Sequence, residues 1–348
     1  MDEQSKSRSE QNAIQRIRRR SADVNPRQLL NGLLHGNTAD LAHAITLSES
    51  QRPTDIELSS DLLQQALPYT GKAMRVGITG VPGVGKSTFI DAFGSYLTSL
   101  GKKVAVLAID PTSQISHGSI LGDKTRMEKL SIDKNAFIRP SPSALSLGGV
   151  ARKTREAIIL CEAAGYDIIL VETVGVGQSE TAVHGMTDFF LLLMLAGAGD
   201  QLQGIKRGIM EMCDGMLITK SDGDNIKKAN YAKAEYGSAL HLFPARPDGW
   251  IPRVEVCSAI NGTGVEDAWN LISGYETWMK ERNLFAIKRQ EQDIGWMHET
   301  IKEHLLDSFY LLSQNKVMIS EQEEMIRANK TTPFRAAEHL LKMVKFNS

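Results

Sequence analysis

The chain has 348 residues, 40 basic and 41 acidic side chains and a net charge of −1, with 42% apolar and 23% charged residues. That composition belongs to a globular protein able to bury a full core, and the length predicts about two domains or one large domain with appendages. Balanced charge argues against a protein built to grip nucleic acid or an anionic membrane surface, and three cysteines with no C-x-x-C pair exclude a disulfide scaffold and offer no zinc spacing.

The chain opens Met1-Asp2-Glu3-Gln4 without an apolar stretch, so no secretory signal is expected. Arg16 to Arg20 followed by Ser21 keeps an organellar transit peptide as the alternative, against which the interspersed acids weigh. Residues 1–70 read as a polar helical extension. Leu29, Leu30, Leu33 and Leu34 recur at helical spacing, as do Leu41, Ala44 and Ile45; Pro53-Thr54 breaks the pattern, and Asp55 to Leu67 resumes it.

From Arg75 the rhythm changes to short β-rich runs alternating with helices. Strands are expected at Arg75–Thr79, Val104–Ile109, Ala136–Arg139, Asp167–Glu172, Asp188–Leu195, Gly215–Thr219 and Arg253–Cys257. Several are apolar on both faces, as strands of a buried parallel sheet must be. This predicts a doubly wound, mainly parallel α/β domain over 71–280. The longest apolar run, Phe189 to Ala196, is far short of the roughly 20 residues a membrane helix needs. Residues 281–348 return to helix: Trp296, Met297, Ile301, Leu305, Phe309 and Leu312 form a stripe opposite a charged face, suited to packing on its own domain or to a dimerisation arm.

Gly80-Val81-Pro82-Gly83-Val84-Gly85-Lys86-Ser87 fits G-x-x-x-x-G-K-[S/T], a pattern a chain of this length meets by chance about one time in a hundred. It follows a β-rich run and precedes a helical one, Thr88 to Leu100, which is the context a phosphate loop requires. Gly80, Gly83 and Gly85 let the backbone wrap phosphate oxygens, with Val84 and Thr88 alongside, while amide hydrogens and the helix N-terminus face negative charge. Lys86 is expected to reach the outer phosphates, and the Ser87 hydroxyl to ligate Mg²⁺.

Two further strand ends supply acids. Val104–Ile109 runs into Asp110-Pro111-Thr112-Ser113, and a carboxylate at the end of a central parallel strand points into the ligand crevice, although Asp-Pro is also an ordinary turn start. Asp123 follows in Gly122-Asp123-Lys124-Thr125-Arg126-Met127; hard oxygen ligands beside a phosphate loop suit Mg²⁺. Asp167–Glu172 leads into Thr173-Val174-Gly175-Val176-Gly177-Gln178, where Glu172 would hold a metal-bound water or sense the γ-phosphate and Gly175 would offer it an amide. Gln178 is a candidate water-positioning residue or a solvated loop residue. Lys86, Glu172 and Asp110 are the catalytic candidates, and Ser87, Asp110, Asp123 and Glu172 the metal candidates.

The base pocket is expected where Gly215–Thr219 leads into Thr219-Lys220-Ser221-Asp222, with Ser258-Ala259 further on. Guanine readers carry N-K-x-D and a later S-A. The Asp222 carboxylate would accept from the ring N1–H and the exocyclic amine, the Lys220 stem would cover the base, and the Ala259 amide would meet O6. Thr219 stands in place of Asn, which is expected to weaken a buttressing contact. An unpaired carboxylate rejects adenine, which offers no paired donors there.

Taken together, Gly80–Thr88, Asp110–Ser113, Gly122–Met127, Arg139–Val150, Glu172–Glu180, Gly197–Gly208, Thr219–Asn225 and Ser258–Ala259 resemble the methylmalonyl-CoA mutase-associated GTPases of the MeaB/MMAA/ArgK type, in the SIMIBI class of P-loop NTPases. The resemblance covers the α/β core nearly end to end. It implies a homodimeric GTPase using GTP/GDP and Mg²⁺. Such a protein acts as a chaperone for an adenosylcobalamin-dependent acyl-CoA mutase, most often methylmalonyl-CoA mutase, gating cofactor delivery and protecting or reactivating the enzyme. It also places Asp200, Gln203 and Lys206 on a switch facing the partner. A cytoplasmic location is expected, or the mitochondrial matrix in a eukaryote, with no nucleic acid or membrane as partner. The competing readings are a P-loop small-molecule kinase, a nickel-type metallochaperone GTPase and a non-catalytic switched scaffold.

Overall fold

The computed structural model describes residues 25–109, 127–141, 147–173, 179–197, 207–311 and 313–343. Seven strands form at the expected places: β1 (Met74–Gly80), β2 (Val104–Ile109), β3 (Ala136–Ser141), β4 (Ile168–Thr173), β5 (Phe189–Leu195), β6 (Gly215–Thr219) and β7 (Arg253–Val256). All pair in parallel in one sheet of order β3-β2-β4-β1-β5-β6-β7. Every residue of β1, β2 and β4 is buried, which is why these strands lack an apolar/polar alternation.

The helices, in chain order, are α1 (Pro26–Leu34), α2 (Thr38–Glu49), α3 (Pro53–Ala66), α4 (Lys86–Ser99), α5 (Leu147–Ala163), α6 (Ser179–His184), α7 (Arg207–Met212), α8 (Ile226–Leu240), α9 (Val265–Glu281), α10 (Leu284–Leu311), α11 (Ser313–Arg327) and α12 (Pro333–Met343). Asn25 and Asn37 cap α1 and α2, each side chain accepting from amides of the first turn. Pro53 opens α3 rather than merely interrupting the helical pattern, because a proline at the first helical position sacrifices an amide that had no partner anyway. No helix among the described residues is long and apolar enough to cross a membrane.

The three N-terminal helices lie on α5 through α2 and α3. Arg139 reaches Glu49 at 2.5 Å and the Thr46 hydroxyl at 3.2 Å, and Lys153 donates to the Ser48 carbonyl. Burial raises the Glu49 carboxyl pKa, against the pull of Arg139. α4 and α9 pack against each other and the sheet to make the main core, in which Phe89 stacks on Phe93 at 5.2 Å and Tyr275 meets Phe189 and Trp250 edge-on, each at 5.2 Å.

Three strands start one residue later than the sequence pattern suggests or are preceded by an acid, for one reason. Asp167, Asp188 and Asp214 stand immediately before β4, β5 and β6 and turn their carboxylates onto backbone amides at or just before the neighbouring strand: Lys103, which leads into β2, at 2.8 Å, Arg75 of β1 at 2.8 Å and Phe190 of β5 at 2.7 Å. The side chain occupies the ladder position that a strand residue's own carbonyl would take. Asp188 and Asp214 are 1% and 0% exposed, and they are charge-compensated. Arg289, in the first turns of α10, grips Asp188 through Nε at 2.8 Å and Nη2 at 2.6 Å; Arg246 lies 2.6 Å from Asp214; Arg75 pairs with Glu162 at 2.9 Å.

The chain divides into two compact units, Met1–Arg289 and Gln290–Ser348. Within the second, α10 exposes Met297, Ile301 and Leu305 of the stripe seen in the sequence, with Ile294 beside them, while Trp296 and Phe309 are half-buried, and α11 packs on α12. Leu312 lies outside the described residues.

Candidate functional site

The C-terminal ends of the neighbours β1 and β4, with that of β6 beyond β5, border the place where the chain leaves β1 for β2 on one side and β4 for β5 on the other, the crevice where open α/β sheets place their ligands. β1 ends at Gly80 and α4 begins at Lys86, so Val81–Gly85 form the connecting loop. Gly83 and Gly85 sit at φ +78° and +95°, left-handed conformations that a side chain would strain. No side chain caps α4, and the amides of its first turn are left for an anion. Val84 is buried beneath the loop, whereas the Thr88 side chain is exposed.

Lys86 folds back over the loop, its Nζ 2.8 Å from the Gly80 carbonyl and 3.4 Å from that of Val81. Burial lowers its pKa, while Glu172 and Glu180 pull the other way. The Ser87 hydroxyl donates to Glu172 Oε1 at 3.2 Å, joining the start of α4 to the end of β4. Beneath them a second hydroxyl pair, Thr173 to Thr79 at 2.9 Å, ties β4 to β1 inside the core.

The other end of the site gathers around Asp222. The Ser221 amide donates to the Cys257 carbonyl at 3.0 Å and the Cys257 amide to the Ile218 carbonyl at 2.8 Å, which aligns the segments that follow β6 and β7. Ser258 Oγ then donates to Asp222 Oδ2 at 2.6 Å. A short bridge between Ser258 and Thr263 closes the loop holding half-buried Ala259. Gly264 is obligatory at its end: φ is +76°, and a Cβ would lie 2.0 Å from the Val256 carbonyl oxygen. Lys220 takes φ +56°, and its exposed stem runs beside the phosphate loop, Cε being 4.0 Å from where a Gly85 Cβ would lie.

Thr219 links the two ends and supplies a buttressing contact of its own. Its hydroxyl lies 2.7 Å from the Val84 carbonyl and 3.1 Å from the Met194 carbonyl, so it still braces the loop across β5. The hydroxyl of Thr173, the role of Gly264 and the strand-leading aspartates escaped the sequence reading. The only trace was an Asp directly before each of three apolar runs. Asp110, Asp123, Gly175, Gln178, Asp200, Gln203 and Lys206 lie outside the described residues. A separate concavity of about 630 Å³ opens along β7, walled by Trp250, Trp278, Lys233 and Arg253, and none of the site residues above lines it.

Gly80, Gly83, Val84, Gly85, Lys86, Ser87 and Glu172 thus form one cluster, and Lys220, Asp222, Ser258 and Ala259 a second, with Thr219 between them. The first offers amides, an ammonium group and hard oxygens; the second a carboxylate held in place by a hydroxyl. Comparisons with known proteins show the family. The family described as "Methylmalonyl Co-A mutase-associated GTPase MeaB" matches residues 41–313. A putative GTPase of Caulobacter vibrioides is 48% identical over 310 residues, 89% of this chain and 94% of that protein. The mitochondrial methylmalonic aciduria type A homolog of Mus musculus is 48% identical over 328 residues, 91% of this chain and 79% of that protein. A solved structure titled LAO/AO transport system kinase superposes with a TM-score of 0.73 at 37% identity, covering 92% of this chain and 98% of that one. The chain therefore belongs to the MeaB family of methylmalonyl-CoA mutase-associated GTPases and is a guanine-nucleotide-binding P-loop GTP hydrolase.

Proposed function

We propose that this GTPase serves as a nucleotide-gated chaperone of an adenosylcobalamin-dependent acyl-CoA mutase, with methylmalonyl-CoA mutase as the first client. In this role it gates cofactor delivery and protects or reactivates the mutase. Gly80–Thr88 would cradle the triphosphate, and Asp222, positioned by Ser258, would accept from the guanine N1–H and amine, with Lys220 over the ring and the Ala259 amide at O6. The observation that carries the nucleotide assignment is the brace from Thr219 to Val84, which ties the Val81–Gly85 loop to the end of β6.

Ser87 Oγ and the Glu172 carboxylate, 3.2 Å apart, are hard oxygens that fit Mg²⁺, and the sequence motifs offer Asp110 and Asp123 as the further ligands that would complete the set. Bound there, the cation would offset charge on the phosphate oxygens. Glu172 would orient the attacking water and Lys86 would hold the γ-phosphate as its charge builds, the positioning and electrostatics that dominate phosphoryl transfer. The exposed stripe residues Met297, Ile301 and Leu305, with exposed Ile294 beside them, support a homodimer through the C-terminal arm.

The test mixes the purified chain with purified methylmalonyl-CoA mutase in GDP and in a non-hydrolysable GTP analogue. The expected result is association that differs between the two states and a rise in GTP turnover when the mutase is present. Free phosphate released without any acceptor separates the hydrolase from a small-molecule kinase. Equal turnover with and without the mutase, and no association in either state, would overturn the chaperone role while leaving the GTPase intact.

A further inference from the structure

The single hydroxyl at the end of β6 has a consequence for how the base is read. Thr219 is 5% exposed, and its Oγ1 lies 2.7 Å from the Val84 carbonyl and 3.1 Å from the Met194 carbonyl. Both neighbours are acceptors. A threonine hydroxyl owns one proton, so the bond that braces the phosphate loop uses it up. An asparagine amide owns two, enough to hold the same carbonyl and offer a second proton elsewhere.

Guanine presents N7 and O6 as acceptors on one edge and amine donors on the other. Asp222, acceptor-only when ionised, can serve only the donor edge. We infer that Thr219 is spent entirely on the phosphate loop and donates nothing to the ring, so that among the described residues the pocket selects guanine by its donor edge and O6 while leaving N7 unread. Thr219 is then a positioning residue for the loop and a determinant of what the pocket ignores: purine triphosphates altered at N7 are accepted as well as GTP. This rests on the reading of Asp222 as the guanine partner.

The probe is 7-deaza-GTP, which keeps the donor edge and O6 and replaces N7 with C–H. Dissociation constants for GTP, 7-deaza-GTP and ATP are measured by calorimetry on the full chain with a hydrolysis-blocking metal-free buffer. For the wild type, the expected ratio of 7-deaza-GTP to GTP dissociation constants is below about threefold. For Thr219→Asn it rises to about five- to tenfold, the worth of one net hydrogen bond. Thr219→Val, which has no proton to give, weakens GTP and 7-deaza-GTP alike and so keeps the wild-type ratio; a ratio that shifts in this variant overturns the inference even if Thr219→Asn does not fold. A wild-type ratio of threefold or more overturns the inference, as does a folded Thr219→Asn variant whose ratio is unchanged. ATP binding as tightly as GTP would instead strike at the guanine reading itself, so the two failures are told apart.

Discussion

Replacing Ser258 with alanine removes the hydroxyl that donates to Asp222 Oδ2 at 2.6 Å, from a residue that is itself fully buried. A net hydrogen bond to a charged group is worth about 1.5–3 kcal/mol. Asp222 is only half-buried, so water can take over part of the lost contact, which places the effect near the lower end, about 1.5 kcal/mol, or roughly tenfold in affinity. The backbone of the loop keeps its own support, the Ser258 amide donating to the Thr263 carbonyl at 2.9 Å. The loss should therefore fall on orientation of the carboxylate and not on folding. Calorimetric titration of GDP and ATP into wild type and Ser258→Ala, with a thermal melt of each, separates these. GDP affinity should drop about tenfold with ATP affinity and melting temperature nearly unchanged. Unchanged GDP affinity, or an equal loss for both nucleotides, would refute the idea that Ser258 acts by positioning a guanine-reading carboxylate.

Three further outcomes are expected. Glu172→Gln preserves an acceptor for Ser87 but removes the charge, and single-turnover GTP hydrolysis should slow by about 100-fold or more while metal-free GDP affinity stays within about threefold; equal rates would remove Glu172 from the chemistry. Burial lowers the Lys86 pKa from its ordinary 10.5, so the unfolded chain binds more protons than the folded one between the depressed value and 10.5, and nucleotide-free stability should rise with pH across that window. Urea denaturation across alkaline pH should show that rise in the wild type and a flatter profile in Lys86→Met, which also loses tight GTP binding; parallel profiles would refute the assignment. Asp188→Ala leaves the Arg289 guanidinium and the Arg75 amide without their carboxylate, at a cost of about 3–5 kcal/mol in denaturant unfolding, part of which Asp188→Ala/Arg289→Met should recover; a loss under about 1 kcal/mol would show that water substitutes for the acid.

The strands, the phosphate loop and the order of the motifs were readable because their signals are local. Doubly apolar runs such as Val104–Ile109 and Phe189–Leu195 have few alternatives to a buried parallel strand. Gly83 and Gly85 mark left-handed backbone within a few residues of the lysine they serve. Strand edges were less legible, since Asp167 and Asp188 look like strand residues until their carboxylates are seen to fill a neighbour's ladder.

What the tertiary structure alone decided is which distant side chains meet. The Thr219 hydroxyl finds the Val84 carbonyl 135 residues away, and Arg289 finds Asp188 at a separation of 101. Neither pairing follows from composition or periodicity, because both depend on β1, β5 and β6 lying side by side, an order set by how the whole sheet buries its apolar faces. Residue pattern determined that this chain carries a glycine-rich loop with a lysine after β1 and, after β6, an aspartate proposed to read guanine. Sheet order determined that the two are braced by one hydroxyl, and a hydroxyl has a single proton to give.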